Sequence, residues 1–154
     1  MKPLLVGVLS DTHGLLRPEA LEALRDCDHI LHAGDIGRED VIHRLKAIAP
    51  LTAIRGNVDR DAWAYSWPDT AELELAGCNI YMLHNLHELD FDPATEGFDV
   101  VVSGHSHKPH HYEKDGVLYL NPGSTGPRRF SLPIALARLT LVDSTISAEM
   151  LTLG

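Results

Sequence analysis

A chain of 154 residues is long enough for one domain that buries roughly two-thirds of its extended surface. Thirteen Lys and Arg stand against 22 Asp and Glu, a net charge of −9 with the ten histidines neutral. This argues against a broad nucleic-acid groove or adhesion to an anionic membrane, both of which need many cations, and a 44% hydrophobic share excludes a disordered chain.

The elements come in chain order. Leu4 to Leu9 is an unbroken apolar run ending in a polar turn, the pattern of a buried strand. Arg17-Pro18-Glu19 opens a helix with proline in its first turn and Leu21 and Leu24 on its apolar stripe. His29 to Ala33 is a second strand ending at Gly34-Asp35. Val41, Ile42, Leu45 and Ile48 give a second helix closed by Pro50, and Leu51 to Ile54 a third strand ending at Gly56-Asn57. Strand and helix thus alternate twice, which implies parallel strands with right-handed crossovers.

After residue 60 the character changes. Thr70 to Leu75 and Cys78 to Leu83 read as a hairpin around Ala76-Gly77, and Asp99 to Ser103 as an apolar strand stopping at Gly104-His105. Tyr112 to Leu120 folds back at Asp115-Gly116, and Pro133 to Leu141 with Thr145 to Leu153 forms a last pair around Asp143-Ser144. A parallel half followed by an antiparallel half predicts two packed sheets flanked by helices within a single domain, residues 1–154. Cys27 and Cys78 cannot build a disulfide framework, and the N-terminal apolar run is too short for a signal peptide, so the expected location is the cytoplasm.

Five strand-like runs end in residues able to ligate a metal: Asp11-Thr12-His13, Gly34-Asp35, Gly56-Asn57-Val58-Asp59, His84, and His105-Ser106-His107. Each alone has an ordinary reading, such as a turn aspartate, a helix cap or a half-buried histidine. Their recurrence at strand ends is informative, because open α/β sheets bind ligands beyond the carboxyl ends of their strands. Glycines 34, 56 and 104 are expected to let the backbone turn sharply there.

In order and context, Ser10-Asp11-Thr12-His13-Gly14, Ala33-Gly34-Asp35, Arg55-Gly56-Asn57-Val58-Asp59, His84 and Gly104-His105-Ser106-His107 resemble the calcineurin-like metallophosphoesterases. Asn121-Pro122-Gly123-Ser124 resembles the small bacterial and archaeal phosphodiesterases of that superfamily, and the resemblance spans residues 4–150. It implies a four-layer αββα sandwich, with two mixed sheets between helices. It also implies a binuclear centre in which Asp11, His13 and His107 bind one divalent metal, Asn57, His84 and His105 bind the other, and Asp35 bridges both and holds a shared hydroxide. Mixed imidazole and carboxylate donors suit Mn²⁺ first, then Fe, Zn²⁺ or Ni²⁺. Two such ions with Asp11, Asp35 and a hydroxide leave about +1 by formal count, enough to attract a phosphate. The implied reaction is in-line hydrolysis of a small phosphodiester. The alternative is a silent protein-binding scaffold of the same fold, as one retromer subunit of this superfamily is. The expected partner is a small phosphoester, with no nucleic-acid groove and no membrane, in a monomer or homo-oligomer.

The chain departs from the family pattern twice. Val58 stands where larger relatives carry His and small ones Cys, so no general acid is expected there. Asp59 is then a candidate to orient a ligand histidine or touch the leaving group, or else caps a helix before Ala62. Asn85 replaces the glycine usual after His84, with His87 as the fallback ligand. His32 is expected to support the site. The histidines at 29, 43, 110 and 111 are read as solvated, Arg128-Arg129 as surface charge or a substrate contact, and Trp63 and Trp67 as loop or core aromatics or a stacking platform.

Overall fold

The structure, a computed structural model, describes residues 3–129 and 131–153. Leu4–Leu9 (β1), Pro18–Leu24 (α1), His29–His32 (β2), Glu39–Lys46 (α2) and Leu51–Ala53 (β3) alternate as expected. The three strands pair in parallel, with Val6 beside His29 and Ile30 beside Leu51. Proline at its start suits α1, and α2 carries Glu39 and Asp40 in its first turn and Arg44 and Lys46 in its last, which favours the helix dipole.

Thr70–Leu75 (β4), Cys78–Leu83 (β5), Val100–Val102 (β6), His110–Lys114 (β7), Val117–Asn121 (β8), Ala135–Val142 (β9) and Thr145–Thr152 (β10) complete the strands. All three predicted hairpins are present. The second half is not antiparallel throughout, however. β5, β6 and β8 run parallel, because residues 84–99 and then β7 carry the chain back between them. The last hairpin joins the first sheet, antiparallel to β1. Ala135, Leu136 and Ala137 are all buried, so β9 needs cover on both faces and takes an interior place, leaving the half-exposed β10 as the edge. The sheet orders are β10-β9-β1-β2-β3 and β4-β5-β6-β8-β7.

Val6, Val8, Leu31, Ile54 and Leu139 meet Ile80, Met82, Val100 and Leu120 between the sheets. Ala20 and Leu24 of α1 and Val41 and Leu45 of α2 cover the other face of the first sheet, with Trp63 and Trp67 packed at that core's margin. The outer face of the second sheet has thinner cover, a 3₁₀ turn at Leu86–Glu88 with Leu89 and Ala94 against Leu83, Val101 and Val117. Two packed mixed sheets with flanking helices are therefore the fold. Among the described residues no helix is long and apolar enough to cross a membrane.

Candidate metal centre

Five loops meet beyond the ends of β1, β2 and β3 in one sheet and of β5 and β6 in the other. Those after β1 and β2 continue their strands' pairing: the Asp11 amide donates to the Gly34 carbonyl at 2.9 Å, that of His13 to Asp35 at 2.9 Å and that of Gly14 to Ile36 at 2.7 Å. Asp11, His13, Asp35, His105 and His107 all adopt left-handed backbone, with φ of 55°, 46°, 56°, 72° and 62°. L-residues resist this by roughly 1 kcal/mol or more each, and such strain gathers where function needs a fixed geometry. Only Asp and His chemistry hints at it in the sequence, since both tolerate this region better than most residues.

The glycines serve differently from expectation. Of Gly34, Gly56 and Gly104, only Gly34 is left-handed, at φ 103°. The other two are glycines because neighbours press close. A Cβ on Gly104 would run into the Ser10 hydroxyl and lie 2.8 Å from Asp11 Oδ2, and one on Gly56 would strike the Asp35 carboxylate.

Asp11, His13 and His107 offer donor atoms within 4.8 Å of one another, as do Asp35, His84 and His105. The imidazoles pair accordingly, His13 with His107 at 5.4 Å and His84 with His105 at 5.2 Å between ring centroids. Asp35 Oδ2 lies between the groups, 3.1 Å from His84 Nε2 and 3.6 Å from His13 Nε2. Asp11 Oδ1 is 3.4 Å from His107 Nε2 and 3.8 Å from the Nε2 atoms of His13 and His84. Two donors each about 2.1 Å from one cation stand about 3.2 Å apart, so these are ligand-to-ligand spacings.

The donor chemistry fits cations independently. His84 Nδ1 lies 2.8 Å from the Ala33 carbonyl oxygen, which can only accept, so the neutral ring keeps its proton on Nδ1 and a bare lone pair on Nε2. Asp11 Oδ2 accepts from the Ser10 hydroxyl at 2.7 Å and the His105 amide at 3.1 Å. Its other oxygen, together with His13 Nε2 and His84 Nε2, is buried without a hydrogen bond. Buried polar atoms without a hydrogen-bond partner are costly unless a cation or a proton lies between them. Burial raises the Asp11 carboxyl to about 6. Burial also acts to raise Asp35, but without a cation a protonated His84, 3.1 Å away, outweighs it and holds Asp35 down to about 2, while Asp35 holds His84 up; a bound cation would take the place of that proton.

Asn57 is exposed and lines, with His84 and His105, one end of a cleft of about 540 Å³. His87 is exposed on the 3₁₀ turn and joins neither donor group. Asn85 needs no special backbone: its φ is −113°, and its side chain accepts from the His87 amide at 3.1 Å. Arg128 and Arg129 are exposed, and burial together with the Arg129 charge lowers His107 to about 4.

Asp59 lies beside the donor groups rather than at a helix start. It caps no helix, and its buried carboxylate accepts from the backbone amides of Ile36, Gly37 and Gly56 at 3.0, 2.9 and 2.8 Å. These three bonds tie the Asp35 loop to the Asn57 loop. Asn121 does similar work opposite, donating to the Gly104 carbonyl at 3.0 Å and to the Ser106 hydroxyl at 3.1 Å.

His32 completes the frame. The Gly34 amide donates to its Nδ1 at 3.1 Å, so its proton sits on Nε2 and goes to the Thr12 hydroxyl at 2.9 Å, which in turn donates to the Ile36 carbonyl at 2.9 Å. Full burial pushes His32 from 6.5 down to about 3. The unfolded chain therefore binds this proton first, and the neutral ring's contribution is complete above pH 6.5 and lost progressively as pH falls toward 3. Each unit in that window costs about 1.4 kcal/mol. In urea titrations of chelator-treated protein, His32→Asn is expected to be less stable than wild type at pH 7.5, with the gap closing between pH 6.5 and 4. Parallel curves would refute the relay.

Comparison with known proteins gives the family and the fold. The sequence profile of the calcineurin-like phosphoesterase superfamily domain matches residues 4–144. A probable metallophosphoesterase of Methanothermobacter thermautotrophicus is 32% identical over 163 residues, covering 98% of this chain and 94% of that protein. A phosphodiesterase of Methanocaldococcus jannaschii is 28% identical over 136 residues, covering 77% and 82%. In three dimensions the chain is similar to vacuolar protein sorting 29 of Cryptosporidium parvum, with a TM-score of 0.79 at 20% identity over 97% of each chain, a likeness of fold alone.

Proposed function

The chain belongs to the calcineurin-like phosphoesterase superfamily, whose enzymes are metal-dependent hydrolases of phosphoester bonds, and on that footing we propose that it is a cytoplasmic phosphodiesterase acting on a small phosphodiester with two divalent cations, Mn²⁺ foremost. The observation that carries this reading is the pair of adjacent three-donor groups, with Asp35 Oδ2 3.1 Å from His84 of its own group and 3.6 Å from His13 of the other, and with donor atoms buried without a hydrogen-bond partner. Bound there, two cations supply a hydroxide nucleophile at neutral pH and a clamp on the phosphate oxygens.

The chain's own residues do the rest. Asp11, His13 and His107 would hold one ion and Asn57, His84 and His105 the other, with Asp35 placed to contribute to both. The Val58 amide, 3.0 Å from Asp35 Oδ1, fixes that carboxylate and leaves Oδ2 to face both groups. The Ala33 carbonyl keeps His84 in the tautomer that can ligate. Val58 offers the leaving group no proton, so aryl esters with good leaving groups are the better substrates. The unpaired cysteines 27 and 78, both buried, suit a reducing compartment.

All seven donors are retained, which favours an enzyme over a silent scaffold. Purified protein with Mn²⁺ is expected to hydrolyse bis-p-nitrophenyl phosphate, and His105→Ala to lower kcat/KM by about 10²-fold or more. Metal-loaded wild type that turns over neither this ester nor p-nitrophenyl phosphate would remove the enzyme reading and favour the scaffold.

A further inference from the structure

Arg55 leads from β3 into the loop of Asn57. Its amide donates to the Pro68 carbonyl at 2.9 Å, and Gly56 beside it packs against the Asp35 carboxylate. The backbone that carries Arg55 is thus fixed relative to the donor groups. Its side chain forms part of the wall of the cleft of about 540 Å³ that begins at Asn57, His84 and His105, and among the described lining residues it is the one Arg or Lys.

The guanidinium is positioned but not satisfied. Its central carbon lies 4.8 Å from the centre of the Tyr65 ring, so one face is covered. Its Nη2 lies 2.9 Å from Asp69, whose side chain is 78% exposed against 18% for Arg55. An ion pair with so wet a partner contributes little and exchanges readily. Nε is buried and has no acceptor, which is costly for a charged donor. Glu88 and Asp90 also line the cleft, but both are exposed, screened by water, and neither forms an ion pair with Arg55. A largely buried cation in the wall of the site therefore lacks a strong anionic partner.

Phosphodiester hydrolysis supplies one. A bond forms from phosphorus to the oxygen of water, and the bond to one arm breaks, leaving its electron pair on the arm's oxygen. In-line attack expels that oxygen on the side away from the nucleophile, which for a phosphate held at the donor groups is the open cleft. Val58 offers it no proton, so negative charge builds there.

Building on the phosphodiesterase reading, we propose that Arg55 is a catalytic residue whose guanidinium leaves Asp69 and binds the departing oxygen of the substrate's arm. A guanidinium keeps its own protons, so the oxygen takes its proton from water after it is released. The contact strengthens as charge develops on that oxygen, so it accelerates the loss of a poor leaving group more than a good one.

Methyl p-nitrophenyl phosphate and methyl phenyl phosphate carry the same charge and differ in how well the departing oxygen bears its own. With Mn²⁺-loaded protein, Arg55→Met is expected to lower kcat/KM about tenfold on the nitrophenyl ester and about 10²-fold or more on the phenyl ester. Arg55→Lys, which keeps the charge, should recover part of the second loss. A further readout needs neither cations nor turnover: NMR of chelator-treated wild type labelled with ¹⁵N-arginine. At mildly alkaline pH, ionised p-nitrophenolate, the departing group itself, should shift the Arg55 Nε–H resonance, which is identified by its absence from Arg55→Lys. Neutral nitrobenzene should leave it in place. Equal losses on the two esters, or a resonance moved no further by the phenolate than by nitrobenzene, would overturn the role of Arg55 alone. Wild type inert on both esters would remove the phosphodiesterase reading, and this role with it.

Discussion

Asp35→Asn is expected to lower phosphodiester turnover by about 10³-fold or more and to reduce the retained metal from two ions per chain to one or none. The substitution keeps the size of the side chain and removes its charge. Asp35 Oδ2 makes the nearer carboxylate approach to both histidine groups, at 3.1 and 3.6 Å against 3.8 Å for Asp11, so its loss should weaken both candidate cation sites. Binuclear stabilisation of a phosphoryl transition state is worth several kcal/mol, and each 1.36 kcal/mol is tenfold in rate. The folded apo-protein should survive, because an amide oxygen can still accept from the Val58 amide. Metal content after gel filtration, kcat/KM on bis-p-nitrophenyl phosphate and the apo melting temperature together decide the matter. A variant that kept two ions and activity within tenfold of wild type would show that Asp35 does not bridge.

Asp35 is legible in the sequence because it closes His29 to Ala33, a short run read as a buried strand and stopped by Gly34, and Asp11, His84 and His105 likewise end strand-like runs. The placing of the candidate ligands at strand ends is thus written in the hydrophobic pattern. The placing of strands in sheets is less so. β5, β6 and β8 are short apolar runs whose direction depends on what the intervening chain does, and residues 84–99 cross back without an α-helix to announce it. The seat of the last hairpin beside β1 depends on burial of both faces of β9, a tertiary fact. Support for the ligands was the least legible part. The left-handed backbone at five of them, the close approaches at Gly56 and Gly104, and the tautomer imposed on His84 by the Ala33 carbonyl all arise between segments distant in the chain.

Asp59 is a support of that kind, and its loss should be felt in both stability and metal binding. Asp59→Ala removes the acceptor of three backbone amides at once, those of Ile36, Gly37 and Gly56. Each buried donor left without a partner costs about 1–3 kcal/mol, partly relieved by entering water, so a total of about 3–5 kcal/mol is expected. In a domain of this size that is a fall of about 10–15 °C in melting temperature, and a large share of a typical stability of about 5–15 kcal/mol. The same three bonds tie the loop of Asp35 to the loop of Asn57, so metal affinity should fall as well, although Asp59 touches no cation. Saturating Mn²⁺ should then recover part of the lost stability by binding only the folded state. Asp59→Asn separates the roles. It keeps one carbonyl oxygen but turns an NH₂ group toward an amide donor, so it should fall between wild type and alanine in melting temperature and in metal affinity together. If the alanine variant melted within about 2 °C of wild type, or lost stability with metal affinity intact, the tie between the two loops would not be what positions the centre.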